Sequence, residues 1–320
     1  MTKEQVTKMG SEPTIWAVGG GKGGVGKSVV SILLAYWLAR MGKRTVVADF
    51  DLGGGNIHTL MGIKSPPHNL YDFVAKKCSS IEDICINTPV ENLRLIAGAS
   101  GVLSLANPQF SQKEKLIKHL AKLNADYVVL DLGAGTSFSV LDFFLAANQK
   151  IVVLTPEPTS IQNAYIFLRN AVYRMLSRLS RKSESLQAVI KSAMNPKNEL
   201  NVRTVREVLQ YVEDMGRENF AEPLRKELGL IRPAVIVNMA RNDKEKNASR
   251  IIQVTSEKYL MINSVDIGNV FYDEQLPRMI DNIAPLVQVD GSCTALANTY
   301  EIVRKLLSHQ GPNHIFSYAA

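Results

Sequence analysis

The sequence predicts an α/β protein: a doubly wound, mostly parallel sheet with helices on both faces and one helical insertion. Three observations predict it. Short β-rich runs alternate with helical stretches along the 320 residues. The runs are almost continuously apolar, as strands buried on both faces must be. Several end in Gly or Asp, at the carboxyl edge where such sheets hold ligands.

The first strand is expected at Thr14-Ile-Trp-Ala-Val18, followed by a glycine-rich loop. A helix follows, with Val29, Ile32, Leu33, Tyr36, Trp37 and Met41 at helical spacing and Gly42 as its stop. Arg44–Ala48 reads as the second strand and ends in Asp49-Phe-Asp51; Leu93–Ala97 is the third, before a charged helix over 111–123. Tyr127–Leu130 ends in Asp131, and Ile151–Leu154, Ala234–Asn238 and Val265–Val270 complete the strands. A closing helix buries Leu296, Tyr300, Val303 and Leu307. Between Ile151 and Ala234 the spacing exceeds one crossover helix. The apolar face from Ile161 to Leu179 is followed by a polar, basic stretch and by Asn201, expected to cap a helix carrying Val202, Val205, Val208, Leu209 and Val212. The chain thus divides into a flexible N-terminus (1–13), one domain (14–310) with an insertion at about 180–230, and a tail (311–320).

Hydrophobic content of 46% suits one large core, and no apolar run approaches a membrane span. Residues 1–12 are polar and lack a signal-peptide core, so a cytoplasmic location is expected. Cys78, Cys85 and Cys293 have neither disulfide nor zinc spacing and read as small apolar fillers. The net charge of +7 is compatible with anionic partners but suits a solvated surface better. The histidines (His58, His68, His119, His309, His314) form no catalytic pattern, and Trp16 and Trp37 read as packing residues.

Residues 20–28, Gly-Gly-Lys-Gly-Gly-Val-Gly-Lys-Ser, fit a phosphate-cradling loop from Gly21 through Gly26 to Lys27 and Ser28. Residues without side chains let backbone N–H groups turn inward around an anion. Lys27 would reach the β- and γ-phosphates, and Ser28 would ligate Mg²⁺. The following helix N-terminus adds a favourable dipole. Lys22 places a second cation inside the loop, which narrows the signature considerably. Asp131 opens Asp-Leu-Gly-Ala-Gly135, where a carboxylate can hold the Mg²⁺ shell while Gly133 and Gly135 admit the γ-phosphate. Asp49 and Asp51 are expected to point to opposite sides of their strand; Asp51, beside Gly53-Gly-Gly-Asn56, is the better candidate for orienting water.

The loop with Lys22, the run Val-Val-Ala-Asp-Phe-Asp-Leu-Gly-Gly-Gly-Asn and Asp-Leu-Gly-Ala-Gly together resemble the MinD/ParA family of deviant Walker A ATPases, most of all its MinD/FlhG-like members. Leu70–Val74, Thr155-Pro-Glu-Pro-Thr-Ser160, Tyr272–Arg278 and Ala284-Pro-Leu-Val287 extend the likeness over residues 14–308, apart from the insertion. The resemblance implies a P-loop fold of the SIMIBI type and an ATP-bridged homodimer. In it, Lys22 reaches the partner's nucleotide and Lys27 its own. Gly21, Gly23, Gly24, Val25, Gly26, Ser28 and Val29 complete the phosphate site. Asp51 and Asn56 would form one switch, Gly133 and Gly135 the other, with Ser28, Asp51 and Asp131 about the metal. Asn238 would read the adenine edge, and Phe271, Tyr272 and Asp273 would border the base. The implied activity is slow ATP hydrolysis by a switch that controls the placement or number of a cellular assembly, with an activating or cargo protein as partner.

The family's membrane-docking C-terminal helix has no counterpart in the tail, where Gly311 and Pro312 break any helix. An alternative is a ParA-like platform for nonspecific DNA, using Arg174, Arg178 and Arg181 with Lys182, Lys191, Lys197, Arg203 and Arg206. A further alternative, an iron–sulfur carrier, is disfavoured by the cysteine spacing, and the single Tyr318 does not make a tail tyrosine cluster.

Overall fold

Eight strands form one sheet in the order β3-β4-β2-β5-β1-β6-β7-β8. The structure is a computed structural model that describes residues 12–99, 108–195, 202–216, 218–281, 285–289 and 291–309. Residues 1–11, Lys197, Asn201, Ala284 and the tail from residue 310, with Gly311, Pro312, His314 and Tyr318, lie outside the described residues.

In chain order the elements are β1 (Thr14–Gly19), α1 (Lys27–Arg40), β2 (Thr45–Phe50), α2 (Ile57–Leu60), α3 (Leu70–Val74), β3 (Cys85–Asn87) and β4 (Leu93–Ile96). Next come α4 (Phe110–Leu120), β5 (Tyr127–Leu132), α5 (Phe138–Ala146), β6 (Gln149–Leu154), α6 (Pro158–Leu179), α7 (Glu184–Met194), α8 (Val205–Asp214) and α9 (Glu218–Leu230). The last are β7 (Ala234–Ala240), α10 (Asn247–Thr255), β8 (Val265–Phe271), α11 (Gln275–Asp281) and α12 (Thr294–Ser308). All strand pairs are parallel except β3–β4, which is antiparallel. The doubly wound, mostly parallel expectation therefore holds; the short edge strand β3 was not anticipated. Three residues are too few for a strand period to emerge from sequence.

The two sheet faces are buried by different helices. Val47, Val129, Val153 and Ile236 pack in one cluster with Val30, Leu33 and Leu34 of α1 and Leu296 and Val303 of α12. Val46, Val128, Val152 and Val235 pack in the other with residues of α4 to α9. The helix α1 is buried nearly all round because α12 covers its outer side: Trp37 Nε1 donates to Leu296 O at 2.9 Å, and its ring meets Tyr300 edge-on at 4.8 Å. Leu186, Val189, Val205, Val208, Leu209, Leu224 and Leu228 of α7–α9 belong to the same apolar cluster as the sheet. The cap of α8 is Thr204, whose side chain accepts from Glu207 N while Glu207 accepts from Thr204 N. A reciprocal capping box satisfies two helix-end donors at once, which explains why the start falls at Thr204 and not at the anticipated Asn201.

Asp142 of α5 is fully buried and gathers three cations. Lys113 Nζ of α4 lies at 2.5 Å, Arg174 of α6 binds both carboxylate oxygens at 2.8 and 2.9 Å, and Arg178 Nη1 lies at 3.6 Å. Burial pushes the Asp142 pKa up, but hydrogen bonds from Arg174 and Lys113 outweigh it and hold the carboxylate below its ordinary range. This corrects the basic-surface reading of α6, since Arg174 and Arg178 turn inward. Arg181 instead lies over the Phe110 ring, at 5.0 Å.

Replacing Asp142 with Asn is expected to lower unfolding free energy by about 3–5 kcal/mol, because it leaves buried cations uncompensated. Urea unfolding of D142N beside R174A checks this; R174A should cost less, since Lys113 and Arg178 still flank the carboxylate.

Candidate nucleotide site

The glycine loop links the end of β1 to the first turn of α1, so its backbone N–H groups and the helix terminus converge at the carboxyl edge of the sheet. Gly26 caps α1 in the left-handed region at φ 83°. A Cβ there would lie 2.2 Å from Asn238 Nδ2. That amide donates to Val25 O at 2.9 Å, so β7 braces the loop from behind. Asn238 thus touches the loop itself, and its amide nitrogen is engaged with the Val25 carbonyl.

Lys27 is buried and donates to Lys22 O at 3.2 Å, curling back under the loop. Burial lowers its pKa, while Asp131 and Asp51 oppose the shift. Lys22, by contrast, is exposed, and its ammonium donates to Thr159 Oγ1 at 3.2 Å, at the start of α6. The two lysines of one loop face different environments. Gly21 abuts α6, since a Cβ on it would strike Asn163 O at 2.0 Å. Gly23 and Gly24 are exposed, Val25 is buried and Val29 is half-buried.

Asp131 at the end of β5 receives two hydroxyls from α1: Ser28 Oγ donates to Oδ2 at 2.6 Å and Ser31 Oγ to Oδ1 at 2.9 Å. Burial raises its pKa to about 6, against those hydroxyls and Lys27. Ser31 was missed in the sequence, yet it stands one turn after Ser28 as a buried polar residue in an apolar helix.

Asp49 and Asp51 do not diverge. Residues two apart on a strand share a face, and the Asp51 charge is near enough to help raise the Asp49 pKa. Their environments still separate them. Asp49 is fully buried and accepts from Asp51 N at 3.2 Å and Ile57 N at 3.1 Å; burial, with Asp131 adding, raises its pKa to about 7. Gly55 must lack a side chain because a Cβ would sit 2.3 Å from Asp49 Oδ1. Asp51 is half-exposed and accepts from Gly53 N at 3.4 Å. Gly133 faces it, with a built Cβ 3.0 Å from Asp51 Oδ1, so the segments after β2 and β5 meet. Asn56 is exposed and donates to Gly54 O at 2.9 Å, and Gly135 takes φ 87° in open space.

The Phe271–Asp273 segment starts at the last residue of β8, next to the end of β7: Tyr272 N donates to Ala240 O at 2.9 Å. Tyr272 is exposed, with the Arg241 guanidinium 5.3 Å from its ring centre. Phe271 N donates to Asn298 Oδ1 at 3.0 Å. Asp273 accepts from Gln275 N at 2.9 Å and Thr294 N at 2.7 Å, so it fastens the starts of α11 and α12. Burial pushes its pKa up, but these N–H groups hold it below the usual range. Its observed contacts are those of a loop clamp.

The oxygens of Ser28 and Asp131 are hard donors of the kind Mg²⁺ prefers, and their contact places both at the foot of the loop. The cysteines offer the opposite chemistry. Burial pushes the Cys85 thiol up to about 12 and raises that of Cys293, which disfavours the thiolate a cluster or metal would need. No helix among the described residues is long and apolar enough to cross a membrane.

The Gly26→Ala substitution is expected to cost about 1–2 kcal/mol in left-handed strain. It should also displace Asn238, weakening a fluorescent ATP analogue by more than about tenfold. Fluorescence titration, with circular dichroism to confirm folding, measures both.

Comparison with known proteins agrees with this geometry. A family model described as ParA, NUBPL iron-transfer P-loop NTPase, matches residues 13–169. The antiactivator FleN of Pseudomonas aeruginosa is 37% identical over 155 residues, covering 48% of this chain and 54% of FleN. An uncharacterized ATP-binding protein of Methanocaldococcus jannaschii is 30% identical over 196 residues, 61% of this chain and 70% of that protein. The flagellum site-determining protein YlxH of Helicobacter pylori is 34% identical over 160 residues, 48% of this chain and 52% of YlxH. The matches thus span about half the length of FleN and YlxH. The fold is also that of the septum site-determining protein MinD from Pyrococcus horikoshii, solved with Mg-ADP, at a TM-score of 0.61 and 17% identity over 93% of this chain and 98% of that one.

Proposed function

Because this chain belongs to the ParA family of P-loop NTPases, we propose that it is a cytoplasmic, ATP-hydrolysing dimerisation switch that regulates the placement or number of a cellular assembly. The observation that carries the reading is the division of labour between the loop lysines. Lys27 is buried beneath the loop, whereas Lys22 is exposed at its rim. A cation at the rim is positioned to leave Thr159 and meet a nucleotide held by a second copy. Relatives named for determining the site of a flagellum or of a septum support the regulatory part.

On this reading, the loop N–H groups and Lys27 bind and orient the β- and γ-phosphates. Ser28 and Asp131, with Asp51 nearby, would hold Mg²⁺, which supplies positive charge to the bridging and γ-phosphate oxygens. Asp51 orients the attacking water, and its contact with Gly133 lets both switch segments sense the γ-phosphate. Lys22 of each protomer stabilises charge developing on its partner's nucleotide. Hydrolysis removes that shared interaction, so the pair separates. Turnover should be slow until an activating or cargo protein completes the site. Asn238 would read the adenine edge, and Phe271, Tyr272 and Asp273 would border the base.

Light scattering after size exclusion, with ATP and Mg²⁺, tests the proposal. Asp51→Ala is expected to remain dimeric, while the Lys22→Ala, Asp51→Ala double variant elutes as a monomer that retains ATP affinity within about threefold. Equal dimer content in the two variants would overturn the bridging role of Lys22.

A further inference from the structure

Near its carboxyl end, β7 carries one residue more than its neighbour β8. Asn238 pairs with Val270 and Ala240 with Phe271, so Met239 is the residue left over. A bulge of this kind bends its strand, and bulges recur beside active sites, where they re-aim a side chain. The backbone of Met239 takes φ 57°, in the left-handed region that residues with a Cβ adopt at a steric cost.

The bulge redirects the side chain. In a regular strand Asn238 and Met239 would point to opposite faces. Here both reach one place: a Cβ built on Gly26 of the glycine loop lies 2.2 Å from Asn238 Nδ2 and 3.5 Å from Met239 Cε. Val237 and Ala240, on either side of the pair, both pack in the apolar cluster that excludes α1. Met239 is 37% exposed, so apolar surface is left uncovered beside the loop. Ala240 O accepts from Tyr272 N at 2.9 Å, which sets the Phe271–Asp273 segment next to the bulge. A glycine would hold this backbone without strain. The chain instead places there a thioether, a polarizable group that rests well against aromatic rings, and does so against a conformational cost.

Resting on the nucleotide reading above, we propose that Met239 is the platform on which the purine ring of the bound triphosphate lies, with Asn238 at the ring's edge. Met239 is thereby a specificity-determining residue. It adds affinity for the base and none for the phosphates, which fall to the loop N–H groups and Lys27.

Calorimetric titration of the full chain with ATP and with inorganic tripolyphosphate, both in excess Mg²⁺, tests this. Met239→Gly should weaken ATP by about fivefold or more and leave tripolyphosphate within about twofold. Met239→Leu returns apolar surface to the same backbone and should bind ATP within about twofold of the parent protein. Glycine accepts the observed φ, so Met239→Gly is expected to fold, and circular dichroism checks it. Unchanged ATP affinity in Met239→Gly, or equal losses for ATP and tripolyphosphate, would overturn the platform and leave the nucleotide reading standing. A parent protein that binds neither ligand would overturn both.

Discussion

The arrangement around the glycine loop depends on one buried carboxylate. Asp131 ends the strand beside β1 and receives hydroxyls from Ser28 and Ser31 across the sheet–helix junction. These contacts fix the rotation of α1 about its axis, because two hydroxyls one turn apart must both face β5. With α1 fixed, Lys27 is set beneath the loop and Gly26 against Asn238. Burial works against the charge on Asp131, and the paired hydroxyls and Lys27 counter it. A site of this kind holds its anion-binding geometry before any ligand arrives, so little reorganisation is left for binding.

Much of this was legible in the sequence, for identifiable reasons. Seven strands declared themselves because both faces are buried, which leaves continuous apolar runs such as Val46–Ala48 and Ile151–Leu154. The loop was legible because backbone geometry there tolerates few residues other than glycine. What escaped was set by partners distant in sequence. β3 exists by pairing with β4, and three residues carry no period of their own. Arg174 and Arg178 looked like a solvated stripe because their acid, Asp142, lies on another helix. Asp49 and Asp51 were misjudged through strand alternation itself, since positions two apart share a side.

Charge placement on α6 bears on the question of nucleic acid. Sequence-independent binding of DNA requires cations free to displace counterions from phosphates. Two of the arginines that suggested such a surface instead neutralise a buried acid and tie α4, α5 and α6 together. Their role is cohesion beneath the segment that follows Gly135. Because α5 begins directly after that segment, any movement there is transmitted to a charge cluster with little freedom to adapt.

The bond from Asn238 to Val25 joins residues 213 positions apart. A chain emerging from the ribosome exposes its glycine hairpin early, yet the strand that steadies it is complete only when about three quarters of the polypeptide has appeared. Until then the nascent hairpin lacks its rear support, so competence to hold a triphosphate arrives late in synthesis. Long-range closure of this sort links ligand capture to completion of the sheet.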